Sequence, residues 1–164
     1  YTKSRAHAYG LMQLLPEVAE KLAVKEGHHH KGKDDLVMDL YDPAFNVSWG
    51  TRLLRQYFNI FDGQPLMTAA GYNAGPDVVK AWTRTRFHGD VLQFIEDIPY
   101  EETRVYVKLV LRNIVNYLRL QAPEPQIDFP EWCIQGVHPL AVHKHHSSKK
   151  RSAASLKTTK QKSK

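Results

Sequence analysis

The sequence predicts an all-α protein, and three features of its pattern indicate that class. No stretch alternates apolar and polar residues convincingly enough for a β-strand. Apolar residues recur at helical spacing in several segments, and the longest segment runs from about Tyr100 to Leu120. Prolines stand where helices are expected to begin, because the missing N–H of proline has no partner in the first helical turn. We therefore expect a helical domain without a sheet.

The first predicted helix begins at Pro16 and runs to about Lys25, and Gly27 ends it. Its apolar face consists of Val18, Ala19, Leu22 and Ala23. Residues 28–35 are polar and predict a loop. The three adjacent histidines in this loop cannot all point at one ion from a regular helix or strand, so a solvated loop is favoured over a metal site.

The second predicted helix has Asp42 as its N-cap and Pro43 at its first position, and it is expected to reach about Phe61. The pattern predicts one apolar face made of Val47, Gly50, Leu53, Leu54, Tyr57, Phe58 and Phe61. Gly50 within this face destabilises the helix by about 1 kcal/mol relative to alanine. We therefore expect another helix to cross closely at Gly50.

Three short helices are predicted next, over residues 66–72, 77–86 and 91–96. The buried side of the second is expected to be Val78, Val79, Ala81 and Trp82. The long helix over residues 100–120 carries two adjacent apolar stripes, one with Val107, Leu111, Ile114 and Leu118 and one with Tyr106, Val110, Asn113 and Tyr117. A helix that is apolar over so wide an arc packs on more than one side. We therefore expect it to be the central helix.

Charge divides the 164 residues into a nearly neutral body and a basic tail. The net charge is +6, but residues 144–164 hold eight Lys or Arg and no acid, which leaves 15 basic and 17 acidic residues in 1–143. No basic stripe is predicted on the folded part, so specific nucleic-acid binding is not expected. The tail is too polar to fold alone. It either binds an anionic polymer or a membrane surface through its charge, or it is solvated without a partner.

The expected organisation is a helical domain over 1–121, a proline-containing extension over 122–143 and a disordered tail over 144–164. Cys133 is the only cysteine, so no internal disulfide is expected. No run of 18 or more apolar residues predicts a membrane span, and no signal peptide is recognised. The sequence begins with Tyr1 rather than Met, which indicates a processed or partial chain. We expect a monomer.

The stretch Gly10–Pro16 is apolar except for one amide, that of Gln13. Leaving a buried amide unpaired destabilises a fold by about 1–3 kcal/mol, so either the protein or a ligand must pair with it. Two interpretations stay open: a buried Gln13 bonded to the backbone, or a polar contact on the floor of an apolar groove. Gly10 would let a ligand or a helix approach the backbone closely.

Two further stretches combine unusual residues. In Ala70–Pro76, small residues surround Tyr72 and Asn73. The stretch is either a helix C-cap or a tight corner that presents a phenol and an amide to a cleft. In Ile98–Val107, two acidic residues fall in a first helical turn, where they interact favourably with the helix dipole.

In order and spacing, these segments resemble the catalytic domain of lytic transglycosylases, in the soluble branch of glycoside hydrolase family 23. The resemblance covers about residues 1–121 and rests on Ser4, Gly10–Gln13, Asp42–Pro43 with Asn46 and Gly50, Ala70–Pro76 and Ile98–Val107. It implies an all-α, lysozyme-like fold of the goose type. It also implies a bacterial or phage origin, a location in the bacterial cell envelope or periplasm for the full-length protein, and peptidoglycan glycan strands as the partner.

The resemblance further implies a reaction. Such domains cleave the β-1,4 bond between N-acetylmuramic acid and N-acetylglucosamine. The C6 hydroxyl of the muramic acid attacks C1 and leaves a 1,6-anhydro sugar, while one Glu acts first as an acid and then as a base. Neither a metal nor another cofactor is implied.

Matching positions receive roles from the same resemblance. Gln13 would bind the sugar or its N-acetyl group, and Tyr72 would hold the acetamido carbonyl or the charge of the transition state. Asn73 would hold the corner in place and contact the ligand. Ser4 matches a position close to the leaving oxygen.

The remaining matches would line the cleft. Glu102 and Tyr106 match cleft positions on the long helix. Met12 and Leu15 would form the apolar floor, and Leu15 departs from the methionine that is frequent in the family.

The catalytic Glu of the family matches a position a few residues upstream of Tyr1. The helix that carries this Glu would also lie upstream of Tyr1. We do not transfer its role to Glu101 or Glu102, because their motif has a different place in the family. The chain alone is therefore predicted to lack its catalytic residue and to be inactive. The alternative is a non-catalytic glycan-binding relic that keeps the groove.

Overall fold

A computed structural model describes residues 3–4, 6–28 and 32–121. Seven helices follow one another in this part of the chain: α1 (Pro16–Lys25), α2 (Lys33–Tyr41), α3 (Pro43–Ile60), α4 (Pro65–Ala74), α5 (Pro76–Arg86), α6 (Val91–Glu96) and α7 (Glu101–Gln121). The only β-type pairing among the described residues is two isolated bridges between residues 3 and 14. The all-α prediction is confirmed.

Several predictions fall on residues that the structure does not describe. These are the extension over 122–143, the tail over 144–164, Cys133, and the second and third residues of the histidine run, His29 and His30. Within the described part, no helix is both long and apolar enough to cross a membrane.

Proline and short polar caps determine where the helices begin, as the sequence predicts. Proline is the first residue of α1, α3, α4 and α5. The Asp42 carboxylate accepts a hydrogen bond from the Phe45 N–H at 2.7 Å, which caps α3. The Gln64 side chain does the same for α4, where it accepts from the N–H groups of Leu66 and Met67.

Helix α2 corrects the predicted loop over residues 28–35. The helix begins at Lys33, and Asp34 and Asp35 lie in its first turn, where carboxylates favour the helix dipole. The prediction of a loop is wrong because the polar first turn is followed by an apolar i, i+4 pair, Leu36 and Leu40. The side chains of this pair are buried in the core.

The central helix is α4 rather than α7, so that prediction was wrong. Residues 66–71 of α4 are all buried, and the helix packs against α3, α5 and α7. In α7 only Thr103 and Val107 are buried, and near its end Tyr117 and Leu120 are 66% and 81% exposed. The wide apolar arc of α7 therefore does not correspond to burial on several sides.

The core has two parts that meet at α3 and α4. One is formed by Phe61, α4, α5, α6 and Val107 of α7. The other joins the loop before α1 to the first three helices through Tyr9, Leu14, Leu22, Leu40, Trp49 and Leu53. The loop before α1 is thus a packed part of the domain.

The buried face of α3 is rotated from its predicted position. Asn46, Trp49, Gly50 and Leu53 are buried, whereas Val47, Leu54 and Phe58 are exposed. A Cβ atom at Gly50 would lie 2.5 Å from the Cβ of Met12, so the close neighbour is a loop side chain and not a crossing helix. In α5, Ala81 is likewise exposed, although it was expected to be buried.

Candidate functional site

The loop before α1 is a tight turn that is closed by main-chain hydrogen bonds. Tyr9 and Leu14 exchange two such bonds, of 2.9 and 3.0 Å. Gly10 and Gln13 adopt left-handed backbone angles, with φ of 72° and 51°, and this geometry reverses the chain between them. Ser4 lies further up the loop, where its hydroxyl accepts a hydrogen bond from the Ala8 N–H at 3.1 Å.

Asn46 of α3 anchors this loop from inside the core. Its side chain is fully buried, and its amide nitrogen donates to the carbonyl oxygens of Tyr9 and Leu40, each at 2.9 Å. Its amide oxygen accepts from the Met12 N–H at 2.7 Å. One buried amide thus holds both the loop and the end of α2, and all three of its bonds are satisfied within the protein.

Gln13 is exposed, so the interpretation of a buried amide is wrong. Its amide nitrogen donates to the Gly10 carbonyl at 2.7 Å, which fixes the side chain across the turn. No donor among the described residues reaches its amide oxygen. The side chain is therefore held by the backbone and offers one acceptor to solvent or to a ligand.

Tyr72 connects α4 to the loop. Its hydroxyl donates to the Met12 carbonyl at 2.8 Å, across 60 residues of sequence. Its ring lies 6.4 Å from the ring of Tyr57 in an edge-to-face arrangement. Met12 is half-buried below this contact and packs against the core. The phenol and the loop are therefore held together as one surface.

Asn73 connects the end of α4 to the first turn of α7. Its amide oxygen accepts from the hydroxyl of the buried Thr103 at 2.5 Å, and its amide nitrogen lies 3.4 Å from a carboxylate oxygen of Glu102. Asn73 and Glu102 are exposed. The corner expected at Asn73 is thus fixed by Thr103, and Glu102 is kept beside it.

Three tyrosines gather above the loop. Burial raises the pKa of Tyr72, and the neighbouring Tyr106 and Tyr57 raise it further. Burial also raises the pKa of Tyr106, and both burial and the Asp77 carboxylate raise the pKa of Tyr57. All three hydroxyls therefore remain neutral hydrogen-bonding groups at physiological pH.

Most of the predicted site residues are joined by these contacts. Tyr72 and Tyr106 belong to the tyrosine cluster, Met12 is bonded to Tyr72, and Gln13 follows Met12 in the turn. Asn73 follows Tyr72 in α4 and lies beside Glu102. Ser4 and Leu15 make no hydrogen bond to these residues within the described part of the chain. The Ser4 hydroxyl accepts from Ala8, and the Leu15 carbonyl accepts from the N–H groups of Val18 and Ala19 at 3.0 Å.

The contributions of Tyr57 and Thr103 are not predicted by the sequence. The apolar pattern of α3 predicts only that Tyr57 lies on a packing face, and it does not show that the ring contacts Tyr72. Thr103 stands within the Ile98–Val107 segment, in the first turn of α7, and nothing in the sequence indicates that its hydroxyl is buried.

Alkaline pH provides a test of the buried phenol. In the unfolded chain tyrosine loses its proton near pH 10. The pKa of Tyr72 is raised in the folded state, so the neutral phenol contributes stability that is fully present below about pH 10. This contribution is lost as the pH rises above that value. We expect Tyr72→Phe to lower stability by about 1 kcal/mol at neutral pH and to flatten its alkaline decline. Urea unfolding from about pH 8 to pH 11 measures both effects.

Tyr117→Phe, at an exposed position, is the control for this test. An alkaline slope in the Tyr72 variant that is identical to that of the unmodified chain would contradict the assignment.

Comparison with known proteins identifies the family. The model of the transglycosylase SLT domain matches residues 1–95. The chain belongs to the transglycosylase SLT domain family. This SLT domain is 33% identical over 135 residues to the soluble lytic murein transglycosylase of Escherichia coli K12, covering 79% of the chain. It is 36% identical over 128 residues to a putative soluble lytic murein transglycosylase of Haemophilus influenzae, covering 76% of the chain.

The fold agrees with a solved member of the same family. An inactive mutant of the lytic transglycosylase Slt from Pseudomonas aeruginosa superposes on the SLT domain with a TM-score of 0.62 and 36% identity, over 78% of this chain and 20% of that one. The all-α, lysozyme-like prediction is thereby confirmed. The chain spans about a fifth of the length of these relatives: 20% of the Escherichia coli protein and 21% of the Haemophilus influenzae protein.

Proposed function

We propose that this SLT domain binds the glycan strands of peptidoglycan and forms the substrate-binding part of a lytic transglycosylase. The hydrogen bond from Tyr72 to the Met12 carbonyl carries the proposal. It joins two segments that resemble the family and stand 60 residues apart, and it places a phenol, an exposed amide and a half-buried thioether side by side. Ligand sites commonly combine an apolar floor with a few fixed polar groups in this way.

Each polar group is suited to part of a saccharide. The open amide oxygen of Gln13 accepts from a sugar hydroxyl or from an acetamido N–H. The Tyr72 hydroxyl already donates to a carbonyl, so it either accepts from the sugar or exchanges the Met12 carbonyl for the acetamido carbonyl. Ser4, Leu15 and Tyr106 complete the proposed cleft.

The proposed reaction is cleavage of the β-1,4 bond between N-acetylmuramic acid and N-acetylglucosamine, with a 1,6-anhydro product. The resemblance assigns the general acid to a Glu upstream of Tyr1, and the proposal keeps that assignment. Glu102 is exposed and lies beside Asn73, so we give it a substrate-positioning role. The proposed place of action of the full-length protein is the bacterial cell envelope.

The test compares this chain with the same chain extended upstream, each incubated with purified peptidoglycan sacculi. Mass spectrometry measures the release of anhydro-muropeptides. We expect release by the extended chain alone, because loss of the only acid–base group removes about a hundred- to ten-thousand-fold or more in rate. Release by the 164 residues alone would refute the assignment of the acid. Saturable binding without turnover in both chains would favour the non-catalytic relic.

A binding arm tests the groove without catalysis. We expect Gln13→Ala to weaken the binding of an N-acetylglucosamine oligomer about three- to tenfold, which corresponds to one hydrogen bond. Gln93→Ala, at an exposed site on α6, is the matched control. Equal affinity of the two variants, measured by calorimetry, would remove Gln13 from the site.

A further inference from the structure

A pocket of about 740 Å³ lies between α1 and α3, outside the proposed saccharide site. The α3 residues that line it include Arg52, Arg55 and Asn59. At 100° per residue, these positions lie on the side of α3 that is turned away from Tyr57. The pocket is therefore a separate feature of the surface.

Cations surround this pocket and exceed its acids. Lys25, Arg52 and Arg55 line it, and Glu26 is its only acidic lining residue. Arg52 is paired with Glu26 and stacks on Trp49, with its guanidinium carbon 5.1 Å from the ring centroid. One cation is thus neutralised, and two remain for a ligand.

Neither of the remaining cations has an acidic partner among the described residues. Arg55 lies over the ring of Phe58, with its guanidinium carbon 5.9 Å from the centroid, and this contact steadies the group while leaving its N–H donors open. Lys25 is exposed at the end of α1. Unpaired cations beside a concave surface attract an anion.

The floor of the pocket decides which anion fits. Leu22 and Ile60 are the apolar residues that line it. A ligand that fills the pocket therefore needs an apolar body as well as a negative group. A planar carboxylate matches the guanidinium fork, and Arg52 already pairs with one, that of Glu26.

We propose that this pocket binds the carboxyl-terminal end of a short peptide. The carboxylate lies between Arg55 and Lys25, and the terminal side chain packs on Leu22 and Ile60. Peptidoglycan carries short peptides with free carboxylates, so the pocket would give the domain a second contact to the same polymer; this last link rests on the proposed function.

The experiment titrates the isotope-labelled 164-residue chain with N-acetyl-alanyl-alanine and follows its amide signals by NMR. The matched ligand is the same dipeptide with an amidated C-terminus, and inorganic phosphate is the third probe. We expect saturable shifts in α1 and α3 with the free carboxylate, and affinities at least about fivefold weaker with the other two probes. Equal binding of the amidated peptide or of phosphate would overturn the proposal.

Variants assign the binding to the pocket. Arg55→Gln and Lys25→Gln each weaken binding about fivefold or more, whereas Arg84→Gln, on the exposed side of α5, leaves it unchanged. All three positions are exposed, so the fold is expected to be retained, and a thermal melt checks this. Unchanged binding by both pocket variants would refute the site.

A titration with an N-acetylglucosamine oligomer separates this proposal from the proposed function. The oligomer reports on residues 10–13 and Tyr72, and the dipeptide reports on α1 and α3. Failure of the oligomer to bind would count against the glycan groove and leave the carboxylate site standing. Failure of the dipeptide to bind would count against the carboxylate site and leave the glycan groove standing.

Discussion

Asn46→Ala is expected to lower the free energy of unfolding by about 3–5 kcal/mol, because the three partners of one buried amide lose their hydrogen bonds to it. Two of these partners, the carbonyl oxygens of Tyr9 and Leu40, receive buried hydrogen bonds of 2.9 Å. The third is the Met12 N–H, which loses its 2.7 Å acceptor. The Tyr9 carbonyl keeps its hydrogen bond from the Leu14 N–H, so the Leu40 carbonyl and the Met12 N–H are the groups left unpaired. Each unpaired group destabilises the fold by about 1–3 kcal/mol, and a small cavity adds to the loss.

Urea unfolding measures this loss, with Asn59→Ala as the control. Asn59 lies on the same helix but is exposed, so its replacement should change stability by no more than about 0.5 kcal/mol. Asn46→Asp separates the two halves of the amide, because it keeps an acceptor for Met12 and loses both donors. A loss below about 1 kcal/mol for Asn46→Ala would show that water replaces the amide. The hydrogen bonds of Asn46 would then contribute little to the stability of the fold.

Gly10→Ala is expected to destabilise the domain by about 3–5 kcal/mol, through a steric clash added to backbone strain. A Cβ atom at this position would lie 2.3 Å from the amide nitrogen of Asn46 and 2.6 Å from the Leu40 carbonyl oxygen. Neither group can move away without breaking the hydrogen bond between them. The φ of 72° adds strain for any residue with a side chain.

Gly27→Ala distinguishes the clash from the strain. Its φ of 78° is similar, but a Cβ atom there would meet nothing within 4 Å. This control should therefore lose only about 1 kcal/mol, the part that comes from the backbone angle. Thermal or urea unfolding compares the two variants. Equal losses would mean that the loop shifts to admit a methyl group and that the close packing of Gly10 on Asn46 is not rigid.

Local chemistry made most of the fold predictable. Proline at the first helical position and the cap at Asp42 indicate helix starts that depend on neighbouring residues only. Helix α2 was missed because its N-cap, Gly32, makes no side-chain hydrogen bond and its first turn is polar. The central place of α4 was also missed, because its small residues show little amphipathic pattern although all of residues 66–71 are buried.

The residues of the candidate site were predictable only where they belong to a recognisable sequence motif. Gln13, Tyr72 and Asn73 were found through unusual residue types in small-residue contexts. The exposure of Gln13 was not predictable, because it depends on a left-handed turn whose geometry is imposed by Asn46, far away in sequence. The contact of Tyr57 with Tyr72 likewise depends on how α3 crosses α4, which periodicity within one helix does not reveal.

The double role of Asn46 couples two parts of the molecule that are separate in sequence. One side chain holds both the Met12 N–H and the Leu40 carbonyl near the end of α2, so fraying of α2 loosens the side chain that anchors the turn before Gln13. Transient opening at the end of α2 is therefore expected to weaken the anchoring of the turn before α1. Substitutions that strengthen α2 would raise the population of molecules in which this turn is intact, although they lie outside the turn itself.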